Sequence, residues 1–238
     1  MSKQAVWGEA ETKLYEAIVK TQDLNVLQPL FDNLKQPNAF HLWKDVSKHS
    51  RFSGKFSVGH IIRVPLYHPL FQADFSLLFH ASVGNNKVAV TKLLEAGADP
   101  TLANLKGTNV FMMLVKRGQI EMADMCLAKV PKDRRVAVVN STTTSGWSAL
   151  MTAAENNQVE SAKWLLRNGA DVSTRMQGTL WTAGHAAAKR GHLEILELLL
   201  KNGASQDSLA CHRDYGKNLR FADVTNDEKV LQLLQRYP

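Results

Sequence analysis

The sequence predicts an all-α fold, a solenoid of stacked helix-turn-helix units, and three observations carry that prediction. A phrase of two leucines, two further residues and Gly-Ala recurs. It reads Leu93-Leu94-Glu95-Ala96-Gly97-Ala98, Leu165-Leu166-Arg167-Asn168-Gly169-Ala170 and Leu199-Leu200-Lys201-Asn202-Gly203-Ala204. The last two copies lie 34 residues apart and the first lies 72 before the second, and a period in the low thirties marks a stacked helical repeat. Second, four residues able to cap a helix, Ser76, Asn109, Ser148 and Thr182, stand at steps of 33, 39 and 34 residues. Their side-chain oxygens can accept the orphan amide hydrogens of a first helical turn. Third, nine residues after each cap comes Asn85, Gly118, Asn157 or Gly191. Both residue types tolerate the left-handed conformation that ends a helix.

Element by element, the chain starts with helix-like apolar spacing from Leu14 to Phe31, interrupted at Thr21-Gln22-Asp23. This reads as a worn helical pair, so residues 1–34 are expected to form an N-terminal cap. Residues 35–75 fit no repeat and hold three of the seven prolines, Pro37, Pro65 and Pro69; an irregular insert is expected there. Four repeats follow over 76–207. Each has a small or apolar pair five and six residues past its cap: Ala81-Ser82, Leu114-Val115, Ala153-Ala154 and Ala187-Ala188. Such pairs let neighbouring helices approach. The second helix of a unit shows i, i+3, i+4 spacing, as in Leu193, Leu196, Leu199 and Leu200. Repeat two lacks the Gly-Ala, and an insertion from Pro131-Lys132-Asp133-Arg134-Arg135 through Ser141-Thr142-Thr143-Thr144 is expected to lengthen its outgoing loop. Residues 208–238, with Val230, Leu231, Leu233 and Leu234, read as a truncated closing cap. Terminal units of a solenoid need a polar outer face and are therefore atypical. The whole of 1–238 is expected to be a single domain.

Composition narrows the function. A hydrophobic fraction of 45% suits a folded soluble protein, and no apolar run reaches the roughly 18 residues of a membrane span. The start, Met1-Ser2-Lys3-Gln4-Ala5-Val6-Trp7, lacks the apolar core of a secretory signal. Two cysteines, Cys126 and Cys211, are too few for a disulfide framework, and Cys126 falls on a core-facing position. A cytoplasmic setting is expected, with the nucleus also open. Nucleophile elbows, phosphate-cradling glycine loops and zinc-ligand pairs are absent. Ser53-Gly54-Lys55-Phe56-Ser57 lacks the upstream glycine of a phosphate loop, and no cysteine or carboxylate cluster joins His60 and His68. The expectation is no enzyme activity: no catalytic residue, no metal, no cofactor and no small-molecule substrate.

The repeat resembles the ankyrin-repeat family, whose units read Gly-x-Thr-Pro-Leu-His-x-Ala-Ala-x-x-Gly-His before the second helix. The nearest stretch is Thr182-Ala183-Gly184-His185-Ala186-Ala187-Ala188-Lys189-Arg190-Gly191-His192, followed by Gly146-Trp147-Ser148-Ala149-Leu150-Met151-Thr152-Ala153-Ala154. The chain departs from the pattern in lacking its proline at Leu77, Val110, Ala149 and Ala183, and in keeping its histidine only as His185. The resemblance implies short β-hairpin fingers and a non-catalytic role as a scaffold or adaptor that holds a protein partner on the concave face.

On that face the resemblance places the residue before each cap (Phe75, Thr108, Trp147, Trp181) and the pair before each first-helix turn. Those pairs are Val83-Gly84, Lys116-Arg117, Glu155-Asn156 and Lys189-Arg190. The expected partner-binding residues are therefore Trp147, Trp181, Lys116, Arg117, Asn156, Lys189 and Arg190. Tryptophan and arginine are enriched at hot spots, and together they suit a partner carrying acidic and apolar groups. A second account of the same residues is structural: tryptophan covers the adjacent finger, and Lys-Arg meets the helix C-terminal dipole. The net charge of +7 supports an alternative function. Lys44, Lys48, Arg51, Lys55 and Arg63, interleaved with Trp43, Phe52 and Phe56, form a basic insert able to contact nucleic acid or an anionic lipid surface.

Overall fold

In the computed structural model the described residues are 13–14, 16–18, 21, 23–32, 40–41, 75–212 and 216–237. They fall into two compact units: one runs up to Met113 and includes Met125–Lys129, and the other holds Leu114–Asp124 and everything from Val130 onward.

In the first unit, α1 (Leu24–Asp32) packs on α3 (Lys87–Glu95). Leu27 and Phe31 of α1 are buried, as are Leu14 and Ile18 ahead of it. Asn86 fastens this end: its Nδ2 donates to Ile18 O at 3.0 Å and Thr21 O at 2.9 Å, while its Oδ1 accepts from Ala89 N and caps α3. Just ahead of α1, Asp23 N donates to Thr21 Oγ1 at 2.9 Å. Strand β1 (Phe40–His41) pairs antiparallel with β2 (Phe75–Ser76), and α2 (Leu77–Val83) follows directly. A hairpin closes at the Ala103–Asn109 bridge and leads into α4 (Val110–Lys116) and α5 (Ile120–Ala128), which contribute residues to both units.

All four predicted caps are in place. Ser76 Oγ accepts from Phe79 N, Asn109 Oδ1 from Met112 N, Ser148 Oγ from Met151 N and Thr182 Oγ1 from His185 N. The four predicted turn residues have positive φ: Asn85 54°, Gly118 68°, Asn157 53° and Gly191 71°.

The second unit carries α6 (Lys132–Val139), α7 (Ala149–Glu155), α8 (Val159–Arg167), α9 (Ala183–Arg190) and α10 (Leu193–Lys201). First helix lies on first helix (α7 on α9) and second on second (α8 on α10). The contact is close because Ala153, Ala154, Ala186, Ala187 and Ala188, all fully buried, present almost no side chain. Polar ties run between successive repeats. Ser161 Oγ donates to Val115 O at 2.9 Å, Trp164 Nε1 donates to Asp124 at 2.6 Å, and His192 Nδ1 lies 2.7 Å from Ala154 O.

The insertion after repeat two is not the loop expected from sequence; its centre is the helix α6. Pro131 pre-sets its entry with φ −52°, and Asp133 stands in the first turn, where the helix dipole favours an anion. Val138 and Val139 are buried. Asn140 then clamps the helix end, donating to Gly169 O at 2.8 Å and accepting from Asp171 N at 2.7 Å. The β-branched valines weaken the helical signal, and the tertiary clamp supplies what local propensity does not.

After α10 come a hairpin of β3 (Ala210–His212) and β4 (Gly216–Leu219), a single 3₁₀ turn (Phe221–Val224) and α11 (Glu228–Leu234). The 3₁₀ turn packs on α9, and α11 on α10. Phe221 is 1% exposed, and a Cβ on Gly184 would stand 2.1 Å from its Cζ. Gly184 stands where the family pattern has leucine. Here the closing turn supplies the apolar group, and the helix leaves room for it.

Candidate interaction surface

Two hairpin fingers of the second unit carry the predicted tryptophans. In one, Thr143 N donates to Trp147 O at 2.9 Å and Gly146 N to Thr143 O at 2.8 Å. In the next, Met176 N donates to Trp181 O at 2.8 Å. Gln177 N reaches Ser145 O at 2.9 Å and joins the fingers; Cys211 N reaches Thr179 O at 2.7 Å and extends the row to the closing hairpin. Gly146 is required on two counts. Its φ is 81°, and a Cβ there would stand 2.7 Å from Gln177 N.

The two tryptophans differ. Trp147 is partly exposed, and its Nε1 donates to Thr152 Oγ1 at 2.9 Å, which holds the ring beside α7. Trp181 is 5% exposed, with its ring 5.0 Å from that of His185 and Lys189 Nζ 5.8 Å from the centroid of one of its rings. The expectation that Trp181 offers its ring to a partner is therefore corrected: the ring is a packing element, covered by its own unit.

His185 explains what Trp181 packs against. Its Nε2 lies 2.9 Å from the Leu219 carbonyl, which can only accept, so Nε2 carries the proton. Nδ1 then accepts from the Thr182 hydroxyl at 2.8 Å and from Thr182 N at 3.3 Å. Burial pushes the His185 pKa below 6.5, Arg175 adds a smaller push the same way, and the hydrogen bonds to backbone oppose them. The imidazole is thus a neutral tie between α9 and the closing hairpin. Cys126, fully buried, has its thiol pushed up to about 12 by desolvation and is inert as a nucleophile.

The paired positions at the ends of the first helices also separate. Arg190 Nε donates to Glu155 at 2.8 Å, and Nη2 meets the same carboxylate oxygen. The hydrogen bond to Glu155, and then its charge, raise the Arg190 pKa further. Asn156 turns its Nδ2 back to Thr152 O at 2.8 Å. Lys116 and Arg117, at the end of α4, pair with no carboxylate among the described residues, and Arg117 is exposed. Sequence reasoning treated the two Lys-Arg pairs as equivalent; it missed that Glu155 neutralises Arg190 of the next repeat. Glu155 stands seven residues past the cap Ser148 and Arg190 eight past the cap Thr182, so the two hold adjacent positions in the repeat register, where the relation was open to inspection.

Lys44, Lys48, Arg51, Lys55 and Arg63 of the basic insert, with His60 and His68, lie outside the described residues. Among the described residues no group of three or more His, Cys, Asp or Glu is placed to hold a metal ion, and no helix is long and apolar enough to cross a membrane.

Capped helix pairs joined by hairpins, with small residues at the helix contacts, define a helical repeat protein. The family comparison agrees with that geometry. The three-copy model of ankyrin repeats matches residues 77–176, and the single ankyrin-repeat model matches residues 180–213. The chain belongs to the ankyrin-repeat family, whose repeats are protein–protein interaction modules. A search of curated proteins found no match.

Proposed function

We propose that this protein is a non-catalytic scaffold that holds an acidic, partly apolar protein partner on the concave face of its repeats. Trp147, Lys116 and Arg117 would make the principal contacts, with Asn156, Lys189 and Arg190 around them. The observation that carries the reading is the pair Lys116-Arg117, which meets no carboxylate among the described residues. At the same repeat position Arg190 is already neutralised by Glu155, so the electrostatic demand of this face is left at the end of α4. A half-buried tryptophan with its N–H satisfied and its ring partly in water stands on the same unit. A cytoplasmic setting accords with the two free cysteines.

Affinity capture at physiological salt tests this. The wild-type chain is compared with Trp147→Ala and with Lys116→Ala/Arg117→Ala. A protein captured by the wild type should be lost from both variants, with Trp147→Ala weakening its binding by about 2 kcal/mol or more. An identical set of captured proteins, or losses within error, refutes the placement of the site.

A further inference from the structure

Leu180 combines two unfavourable features. Its φ is +56°, in the left-handed region that suits glycine or asparagine, and its side chain is 45% exposed. The finger itself shows how this arises. The bonds closing the first two fingers, Asn104 N to Thr108 O and Thr143 N to Trp147 O, span four residues, whereas Met176 N to Trp181 O spans five. Leu180 sits in this lengthened turn and gives its N–H to Met176 O at 3.0 Å. Leu180 thus joins a strained backbone to a side chain nearly half in water, and such outliers concentrate where a surface is built to be used.

The surroundings specify the kind of partner. Leu209, 44% exposed, opens the neighbouring closing hairpin, which is tied to this finger through Cys211 N and Thr179 O. Arg175, exposed on the same finger, rests one Nη on Ser208 Oγ at 3.1 Å and pairs with no carboxylate among the described residues. Lys189 adds a second cation at the end of α9, and among the described residues of the turn before Ser208 the one exposed carboxylate is Asp207. Glu155 is engaged by Arg190. Apolar anchors beside a net positive rim complement a segment with apolar and acidic side chains.

We infer that Leu180 is the anchor of this interaction surface: an extended acidic protein segment covers Leu180 and Leu209 with an apolar side chain and sets a carboxylate against Arg175. The inference rests on the scaffold reading above and adds the anchor and the form of the partner.

The probe is a displayed library of random 12-residue peptides, selected on the full chain. Acid-rich peptides with one or two large apolar residues should emerge. The best of them, synthesised, is titrated against wild type, Leu180→Gly, Leu180→Asn, Arg175→Gln, Trp147→Ala and Lys116→Ala/Arg117→Ala. Glycine and asparagine fit the backbone at least as well as leucine, so both Leu180 variants should melt no lower than wild type yet lose tenfold or more in affinity. Arg175→Gln should lose several-fold, and less so at high salt. Binding to both Leu180 variants within twofold of wild type overturns the inference. If Trp147→Ala and the Lys116/Arg117 variant still lose binding in that case, the scaffold reading survives without this anchor. Insensitivity of all variants overturns both, and a selection that yields no acid-rich binder overturns the inference.

Discussion

Replacing Gly184 by leucine restores the residue of the family pattern, and it should damage the protein. In this chain Phe221 of the closing 3₁₀ turn fills that space: its ring is 1% exposed, lies edge-on to His185 with centroids 4.8 Å apart, and overlaps any Cβ built on Gly184. A leucine must expel the ring. The loss then approaches that of deleting a buried phenylalanine, about 3–5 kcal/mol. Phe221→Ala alone leaves a cavity against Gly184 and should cost a similar amount. The double variant Gly184→Leu/Phe221→Ala refills the cavity from the other side, so its loss should be well below the sum, with a coupling of about 2 kcal/mol or more. Leucine also has a helix propensity better than glycine by up to about 1 kcal/mol, which favours the rescue. Urea unfolding followed by circular dichroism reads the three losses. Because a repeat array can unfold from one end, amide exchange of α10 and α11 should show the same order. Two single losses that add within about 0.5 kcal/mol, or a Gly184→Leu variant as stable as wild type, would falsify the plug-and-socket account.

Two further predictions concern the ends of the repeat array. His185 is held neutral by burial, with its folded pKa below 6.5, so below that pH the unfolded chain takes up the proton first. The stability it protects is therefore full above about pH 6.5 and declines as the pH falls towards the folded pKa. His185→Gln should flatten the part of the urea-midpoint slope between pH 7.5 and 5 that this residue causes, and an unchanged slope would refute the assignment. Asn86→Ala removes the α3 cap and strips the Ile18 and Thr21 carbonyls of their buried donor. The expected loss is about 2 kcal/mol, with amide exchange in α1 accelerated well beyond that in α9; uniform acceleration or none would count against it.

The repeat frame was readable because each of its signals has one local cause. Ser76, Asn109, Ser148 and Thr182 had to be caps, since an unpaired first turn needs a side-chain acceptor at that residue. Asn85, Gly118, Asn157 and Gly191 had to be helix ends, since few other residues accept positive φ. The misread segments depend on distant partners. Helix α6 owes its end to Asn140 gripping Gly169 and Asp171, 29 and 31 residues away in sequence. Phe221 could be placed only by noticing that Gly184 leaves a hole where the pattern has leucine. Leu180 was visible as one residue too many between Met176 and Trp181, had finger lengths been compared as closely as helix steps.

The candidate site shows the same division between position and environment. Trp147 and Trp181 hold one repeat position, directly before a cap, yet one ring is partly in water and the other is covered. The first helix behind each decides which. In repeat three the fourth residue past the cap is Thr152, whose hydroxyl gives its own hydrogen to Ser148 O and accepts from Trp147 Nε1, fixing the ring's polar edge beside α7. In repeat four that position is Ala186, which offers no acceptor, while the third residue past the cap is His185, whose flat imidazole provides a stacking surface for Trp181. A tryptophan with a hydroxyl behind it keeps a free face, and a tryptophan with an imidazole behind it becomes core. The binding surface of such a protein is thus set by the small residues of its first helices as much as by the aromatic residues in front of them.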